Sequence, residues 1–294
     1  MYEDQFVALT ALYEATNGGE WTNITNWFEA SSVCDWHGIL CDDGNEDHLV
    51  VRKILLNENN LDGTLPSEVG LLNKLQSLEL SQNSISGALP TEIGQMTSLQ
   101  QLWLSYNYLE GTIPSEIGHL TSIYHVWLSH NGLEGSIPSE IGQMSSLEFF
   151  YLTHTDYRLS GSIPSEIGML SELWHLFVAY NDISGTLPSE LGQLKKLERI
   201  WASVNRLDGQ IPVQLGSLQL IKALSFHDNY LSGIIPSELG LLKEMEQLYL
   251  GLNEFVGVSM PDEVCALREI GKLELLWADC NHLIECNCCT LCLF

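Results

Sequence analysis

Proline returns along this chain at a nearly fixed interval. The spacing is 24 residues, apart from one interval of 26 and one of 25, and the series includes every proline of the 294-residue chain: Pro66, Pro90, Pro114, Pro138, Pro164, Pro188, Pro212, Pro236 and Pro261. Seventeen of the 24 glycines fall into two columns of the same register. A period of this length over nine copies predicts a repeat protein in which one small unit is stacked many times.

Each unit fits the pattern LxxLxLxxNxLxGxIPxExGxL, as in LQSLELSQNSISGALPTEIGQM from Leu75. The LxxLxL part predicts a short strand whose leucines point into a shared core. The stretch Ser-Glu-x-Gly predicts a single helical turn, with serine as its N-cap and glycine as its stop. The asparagine after each strand predicts a ladder of amides bonded to turn backbone. The ladder positions are Asn59, Asn83, Asn107, Asn131, Asn181, Asn205, Asn229, Asn253 and Asn281.

These repeats resemble the plant-type leucine-rich repeat, with its LSGxIPxExGxL consensus, over residues 50–264. TNITNWFEASSVCDWHGILC resembles that family's N-terminal cap, which assigns residues 1–49 to a cap. Residues 265–294 are assigned to the last repeat and a cysteine-rich C-terminal cap, and WADCNHLIECNCCTLC is similar to the ends of diatom and algal members. The resemblance implies an α/β solenoid: a right-handed superhelix with a parallel sheet on the concave face and short helical turns on the convex face.

The resemblance also implies a class of function. Family members include ectodomains of receptor kinases, kinase-less receptor-like proteins and secreted inhibitors of wall-degrading enzymes. The chain carries no kinase signature such as a Gly-rich loop, HRD or DFG. We therefore expect the recognition half of such a protein, placed outside the cell or at its surface.

All eight cysteines lie near the two ends of the chain. An even number confined to the ends predicts disulfide-closed caps and an oxidising compartment. The six C-terminal cysteines permit 15 pairings, so their connectivity stays open. Zinc is the alternative for the cluster from Cys286 to Cys292, although its spacing matches no common finger. The predicted disulfide residues are Cys34, Cys41, Cys265, Cys280, Cys286, Cys288, Cys289 and Cys292.

The N-terminal segment lacks the basic and then apolar regions of a signal peptide, which is the one feature against an oxidising compartment. Asn23 begins the one glycosylation sequon of the chain, Asn23-Ile24-Thr25. A single match of three residues is a weak signal. The prediction that Asn23 is glycosylated rests on that pattern alone.

Charge narrows the range of partners. The chain has 38 acidic and 12 basic residues, a formal net charge of −26, so it repels phosphate backbones and anionic lipid. We therefore expect neither nucleic acid nor a membrane surface as a partner. No apolar run reaches the roughly 18 residues that a membrane span needs. A column of glutamates after the prolines explains much of the acidity and is predicted to be a solvated structural ladder.

The residue between the two strand leucines is predicted to face outward, and in five successive repeats it is aromatic. With strands about 4.8 Å apart, these rings form a stripe about 19 Å long. Ring pairs across strands can simply stabilise a sheet, by roughly 0.2–1 kcal/mol each, but other repeats carry Leu55, Glu79 and Ser225 at this place. An exposed aromatic patch of this size predicts a ligand-binding surface. With the neighbouring outward columns it comprises Trp103, Tyr106, Tyr124, His125, Trp127, His130, Phe149, Tyr151, His154, Trp174, His175, Phe177, Tyr180 and Trp201.

Repeat 5 departs from the pattern at the centre of this stripe. It has Thr155 where asparagine is expected and two extra residues before Leu159. We expect the insertion to break the asparagine ladder and to form a small loop with Tyr157 and Arg158 at the rim.

Outside the cysteine cluster, the candidates for a metal site are His130 and His154, with His125 and His175 nearby. His130 and His154 share a column in adjacent repeats and are expected to approach to within about 5 Å, as a metal site or pH sensor would require. No carboxylate or cysteine in the same columns completes a ligand set, so we predict no metal and no cofactor.

Catalysis has little support in the sequence. GxSxG, HExxH, P-loop and GxGxxG motifs are missing, and no serine or cysteine nucleophile is evidently arranged with the outward histidines, so the chain is not expected to be an enzyme. The sequence predicts a recognition module for a peptide or protein ligand. The alternative is a carbohydrate-binding protein or an inhibitor of cell-wall enzymes, because tryptophan faces also suit sugar rings.

Overall fold

One long sheet organises the molecule, seen in a computed structural model that describes residues 2–30, 32–42, 49–156, 159–255, 258–280 and 284–293. Twelve strands of these ranges lie side by side in chain order. The first two pair antiparallel, and every later pair is parallel. The strands are Ile39–Cys41, Val51–Leu55, Ser77–Glu79, Gln101–Trp103, His125–Trp127, Phe149–Tyr151, His175–Phe177, Arg199–Trp201, Ala223–Ser225, Gln247–Tyr249, Leu275–Asp279 and Leu291–Leu293.

A second set of short strands forms three smaller sheets beside the long one within the described ranges. The first holds Asp62–Thr64, Ser84–Gly87, Tyr108–Thr112, Gly132–Ser136 and Leu159–Ser160. The second holds Ser184–Thr186, Arg206–Gly209 and Tyr230–Leu231, and the third Val258–Ser259 and Ile284–Glu285. The change from the first to the second of these sheets comes directly after repeat 5.

The turn after each of the first eight prolines is a 3₁₀ turn, whereas Pro261 precedes an α-helix, and these turns differ from the prediction in two details. Proline, not serine, precedes each turn, and no side chain caps it: the Ser115 hydroxyl lies 3.2 Å from Oε2 of its neighbour Glu116. Glycine does not end the turn but lies inside it. A Cβ at Gly118 would approach the carbonyl oxygen of Glu140, in the next turn, to 2.5 Å. Glycine at this position therefore allows adjacent turns to stack closely.

The 3₁₀ turns of the repeats are Ser67–Leu71, Thr91–Gln95, Ser115–His119, Ser139–Gln143, Ser165–Met169, Ser189–Gln193, Val213–Ser217 and Ser237–Leu241. Further 3₁₀ turns lie at Gly18–Glu20 and Val33–Asp35, and α-helices span Tyr2–Ala15 and Asp262–Ile270. None of the helices in the described ranges is long and apolar enough to span a membrane.

The core lies between the long sheet and the turns, and the asparagine ladder closes its edge. Strand leucines such as Leu102 and Leu104 are fully buried, as the LxxLxL pattern predicts. Asn131 shows how the ladder works: its Nδ2 donates to the carbonyl oxygens of Leu104 and Leu128, at 3.0 and 2.9 Å. Its Oδ1 accepts from the backbone N–H of Leu109, at 3.0 Å. One buried amide thus satisfies backbone groups of two successive repeats. The last predicted ladder position, Asn281, lies outside the described residues.

At repeat 5 the ladder stays joined to repeat 6, but among the described residues the Thr155 side chain makes no hydrogen bond to repeat 4, so the predicted break is found on that side. Thr155 is fully buried, and its hydroxyl oxygen accepts from the backbone N–H of Leu159 at 3.2 Å and lies within hydrogen-bond distance of Asn181 Oδ1. A hydroxyl therefore joins repeats 5 and 6 where an amide would otherwise stand. The predicted rim residues Tyr157 and Arg158 lie outside the described residues.

Disulfides close both ends of the stack. Cys34 pairs with Cys41, Cys265 with Cys288, and Cys286 with Cys289. Cys280 is also disulfide-bonded, whereas the side chain of Cys292 lies outside the described part of the chain. The described C-terminal cysteines thus form disulfides, which the sequence predicted with a zinc site as the alternative. At the N-terminal end a cluster of rings that includes Trp21, Trp27 and Trp36 covers the first strands.

Candidate functional site: a ring-lined groove

Five aromatic rings stack face to face across the strands of the long sheet. They stand at equivalent positions of five successive strands, so register alone places them side by side. Centroid distances along the series are 4.4, 5.5, 4.6 and 4.2 Å, and neighbouring planes are within 16° of parallel. Because their faces meet, the rings present their edges outward. We call this set, Trp103, Trp127, Tyr151, Phe177 and Trp201, the central stack.

A second, parallel stack lies three residues further along each repeat. The rings of Tyr106, His130, His154 and Tyr180 follow one another at centroid distances of 4.1, 4.4 and 4.2 Å. The predicted approach of His130 to His154 is confirmed. We call these four residues the side stack.

The side stack occupies backbone that ordinary side chains avoid. All four residues have positive φ, between 56° and 58°. The position before the ladder asparagine is left-handed in the other described repeats too, for example at Gln82 and Val204. Glycine, asparagine, aspartate and histidine are favoured in this region, and other residues are uncommon. The two histidines therefore suit this backbone, whereas the two tyrosines are not what the backbone alone would select.

The remaining predicted residues form an edge cluster on the opposite flank of the central stack: Tyr124, His125, Phe149, Trp174 and His175. Phe149 meets His125 and His175 edge to face, at 4.6 and 5.0 Å, and its centroid lies 6.0 Å from that of Trp174. Tyr124 lies 4.6 Å from His125. Nδ1 of His175 and the hydroxyl of Tyr151 are 2.8 Å apart, which links this cluster to the central stack.

A groove of about 420 Å³ lies between the central stack and the side stack. One wall consists of Trp103, Trp127, Tyr151 and Phe177, and Tyr106 and His130 form the other. Small hydroxyl residues lie between the walls, namely Ser81, Ser105, Ser129 and Thr153, and Asn57, Glu58 and Gln82 line the end nearest the N-terminus. The groove combines apolar walls with a narrow polar floor.

Known proteins share these repeats and this architecture. The Leucine Rich Repeat family model matches residues 74–96, 98–120 and 122–144. The LRR ectodomain of the Arabidopsis thaliana membrane receptor kinase GASSHO1/SCHENGEN3, solved in complex with CASPARIAN STRIP INTEGRITY FACTOR 2, has a TM-score of 0.86 and 31% identity over 96% of this chain. The chain is a plant-type leucine-rich-repeat protein.

Two further Arabidopsis proteins are similar to this leucine-rich-repeat protein. The HAESA ectodomain of Arabidopsis, solved with an N-terminally extended IDA peptide hormone ligand, gives a TM-score of 0.72 at 28% identity over 97% of this chain. Leucine-rich repeat extensin-like protein 7 of Arabidopsis thaliana is 40% identical over 75 residues, 25% of this chain. The chain spans 33% of the GASSHO1/SCHENGEN3 ectodomain, 50% of the HAESA ectodomain and 17% of the extensin-like protein.

Four histidines beside the groove favour their neutral forms. Burial lowers the pKa of His130, opposed by Asp156, and burial together with His130 lowers the pKa of His154. Burial also lowers the pKa of His125 and of His175, where Arg199 adds to the effect. Near neutral pH both ring walls are therefore uncharged.

Sequence reasoning overlooked several residues beside the rings. Ser105, Ser129 and Thr153 of the floor stand two residues after Trp103, Trp127 and Tyr151, a fixed spacing that could have shown them. Arg199 lies next to His175 in the sheet register, and its Nε is buried without a hydrogen-bond partner in the described chain. Ser225 Oγ and His227 Nδ1 are 3.1 Å apart, which corrects the expectation that no outward histidine meets a serine. His227 also contacts Trp277, at 4.8 Å, in a separate ring group near the C-terminal end.

Two further sequence-based considerations concern metal binding and glycosylation. Within the described residues no group of three or more His, Cys, Asp or Glu side chains is arranged to hold a metal ion. Asn23 is half-buried, and its Oδ1 accepts from the backbone N–H and the hydroxyl of Thr25, at 3.0 and 2.7 Å. Its glycosylation stays a prediction.

Proposed function

We propose that this protein is an extracellular recognition module that binds an extended peptide, free or as part of a protein, in the groove between the central stack and the side stack. The observation that carries the proposal is the groove itself. Two rows of ring edges face each other across a floor of small hydroxyls, so ligand side chains can pack against the walls while ligand backbone reaches polar partners. Related plant ectodomains solved with ligands, including HAESA with its peptide hormone ligand, support the choice of ligand class.

The stacking of the rings also distinguishes between a peptide ligand and the carbohydrate alternative. Packing a sugar flat on an aromatic ring requires an open ring face. Trp127, Tyr151 and Phe177 each have a stacked neighbour on both faces, so they have no face to offer. Peptide side chains, in contrast, pack well against ring edges and polar ring tips. The inner rings of the groove therefore favour a peptide over a polysaccharide.

Peptide and glycan arrays test this proposal directly. The oxidised protein is applied beside a Trp103→Ala/Trp127→Ala variant, at a temperature at which circular dichroism shows both to be folded. A matched control, Tyr230→Ala/Ile234→Ala/Leu252→Ala, removes apolar side chains that are exposed outside the groove. We expect peptide hits that the control retains and the groove variant loses at least tenfold. Glycan hits with that dependence would establish the alternative, and equal binding by all three proteins would mean that the rings serve stability alone.

A further inference from the structure

The N-terminal end of the groove differs in charge from its walls. Glu58 lines this end, and Glu79 occupies the strand position immediately before Trp103 in the sheet register. The Glu79 carboxylate is held in place, because its Oε1 accepts from the Ser77 hydroxyl at 2.9 Å and its Oε2 from Asn57 Nδ2 at 3.2 Å. Two neutral donors thus fix the position of the carboxylate without neutralising it.

Neither carboxylate has a cationic partner within the described chain. The ion pairs there join other residues, such as Lys222 with Glu198 and Arg206 with Asp182. The protein as a whole carries a net charge of −26, which adds a long-range attraction for cations. The groove end is therefore a negative site without an internal counterion.

Among the described residues, the Trp103 ring beside these carboxylates has a stacked ring on one face only. Trp103 is the first ring of the central stack; Trp127 covers one face, and the register places Glu79 on the other side. Tryptophan is the best aromatic partner for a cation placed over its ring. A guanidinium or ammonium group at this place would meet the Trp103 face and the Glu79 carboxylate together.

We propose that the N-terminal end of the groove binds a cationic side chain, arginine or lysine, of the peptide ligand. The inference rests on the proposed function and adds to it a charge and a direction. Glu79 and Glu58 would supply the counter-charge, and Trp103 the aromatic surface. The flank near the other end carries Arg199 instead, so a basic residue has a preferred end of the groove.

A small probe tests the cation site without any peptide ligand. The indole N–H signals of the ¹⁵N-labelled protein are followed by NMR, and the Trp103 signal is assigned by its loss in Trp103→Phe. The protein is titrated with N-acetyl-arginine N-methylamide and with the citrulline analogue, which has nearly the same shape and no charge. We expect a saturable shift of the Trp103 signal with the arginine probe only.

Variants localise the effect. Glu58→Gln/Glu79→Gln removes both charges, keeps the size of both side chains and one acceptor oxygen on each, and should weaken the arginine probe at least tenfold. Glu92→Gln removes one carboxylate from a 3₁₀ turn outside the groove and should leave binding unchanged. Equal shifts with both probes, no shift with either, or full binding by the double variant would overturn the proposal.

Selection from a random 12-residue peptide display library separates this inference from the proposed function. Peptides that require Trp127 and are enriched in arginine or lysine on the wild type, but not on Glu58→Gln/Glu79→Gln, would support both. Peptides that require Trp127 without basic enrichment would overturn the cation site and leave peptide binding standing. If no selected peptide requires Trp127, peptide binding is overturned, and the arginine titration still decides whether the cation site exists.

Discussion

The asparagine ladder and the central stack are both columns of one residue per repeat, yet they differ in what the fold demands of them. Asn131 is buried, and its amide satisfies three backbone groups of the turn. Trp127 is half-buried, has no hydrogen-bond partner for its indole N–H, and contacts mainly other rings. Where the ring column ends, Glu79 and Ser225 take the same place in intact strands. The hydrogen bonds within the chain are enough to explain a ladder asparagine. They do not explain the rings of the central stack, for which we propose a ligand.

The largest expected effect breaks the ladder. Asn131→Ala leaves the Leu128 carbonyl oxygen and the Leu109 N–H without their hydrogen-bond partner, whereas the Leu104 carbonyl oxygen keeps its bond from Asn107 Nδ2. Each unsatisfied group costs about 1–3 kcal/mol. We expect the free energy of unfolding to fall by about 4 kcal/mol, measured by urea denaturation. Asn73→Ala, on an exposed asparagine outside the ladder, serves as the control. A loss below about 1 kcal/mol at Asn131 would mean that water replaces the amide readily.

A smaller loss is expected when the stack is broken. Trp127→Ser introduces the residue that repeat 8 carries in the same column and removes two stacked neighbours, each worth about 0.5–1.5 kcal/mol. The expected loss is about 2 kcal/mol in the same denaturation experiment, with binding in the groove abolished. A loss equal to that of Asn131→Ala would show that the rings are as structural as the ladder and would erase the contrast between the two columns.

The side stack should make stability depend on pH. Burial lowers the pKa of His130 and His154 in the folded protein below the ordinary value of 6.5, so the unfolded chain binds more protons near and below that value. Stability is therefore complete above pH 6.5 and falls as the pH decreases from there through the lower folded-state pKa values. Melting temperatures from pH 8 to pH 5 measure the loss, which should be smaller than that of Trp127→Ser. His130→Asn/His154→Asn should remove part of the dependence; an unchanged profile would contradict this origin.

The smallest effect concerns the left-handed backbone before each ladder asparagine. Val204 is a β-branched residue at a φ of 55°, a conformation that asparagine tolerates better. Val204→Asn should raise the free energy of unfolding by about 0.5–1 kcal/mol, detectable as a higher melting temperature. Destabilisation would show that packing of the valine methyl groups outweighs the backbone strain.

The sequence was sufficient for those features that one residue type enforces at every repeat. Proline, leucine and asparagine each have one physical task in the unit, so their period predicted the strands, the core and the ladder. The 3₁₀ turns were less predictable, because serine and glycine suit both a capped helical turn and a tightly stacked one. Only the distance between Gly118 and the next turn distinguishes the two.

The candidate site was predictable as a set of residues but not as a geometry. Alternation placed the rings on one surface, whereas their face-to-face stacking depends on side-chain rotations that no spacing fixes. The left-handed column was missed because its occupants, from Gln82 to Val204, share no residue type. The pairings of Cys265 with Cys288 and Cys286 with Cys289 could not be chosen among 15 from sequence alone.

The parallel sheet also sets a measuring rule for any extended ligand. Equivalent groove positions recur once per strand, about 4.8 Å, whereas an extended peptide advances about 3.3 Å per residue, so three ligand residues span about 9.9 Å and two strands about 9.6 Å. The spacing of ligand residues and the spacing of strands therefore match at every third ligand residue and every second repeat. Because successive side chains of an extended peptide point to opposite sides, a peptide lying along this groove would present side chains with the same direction and register at positions i and i+6, four repeats apart.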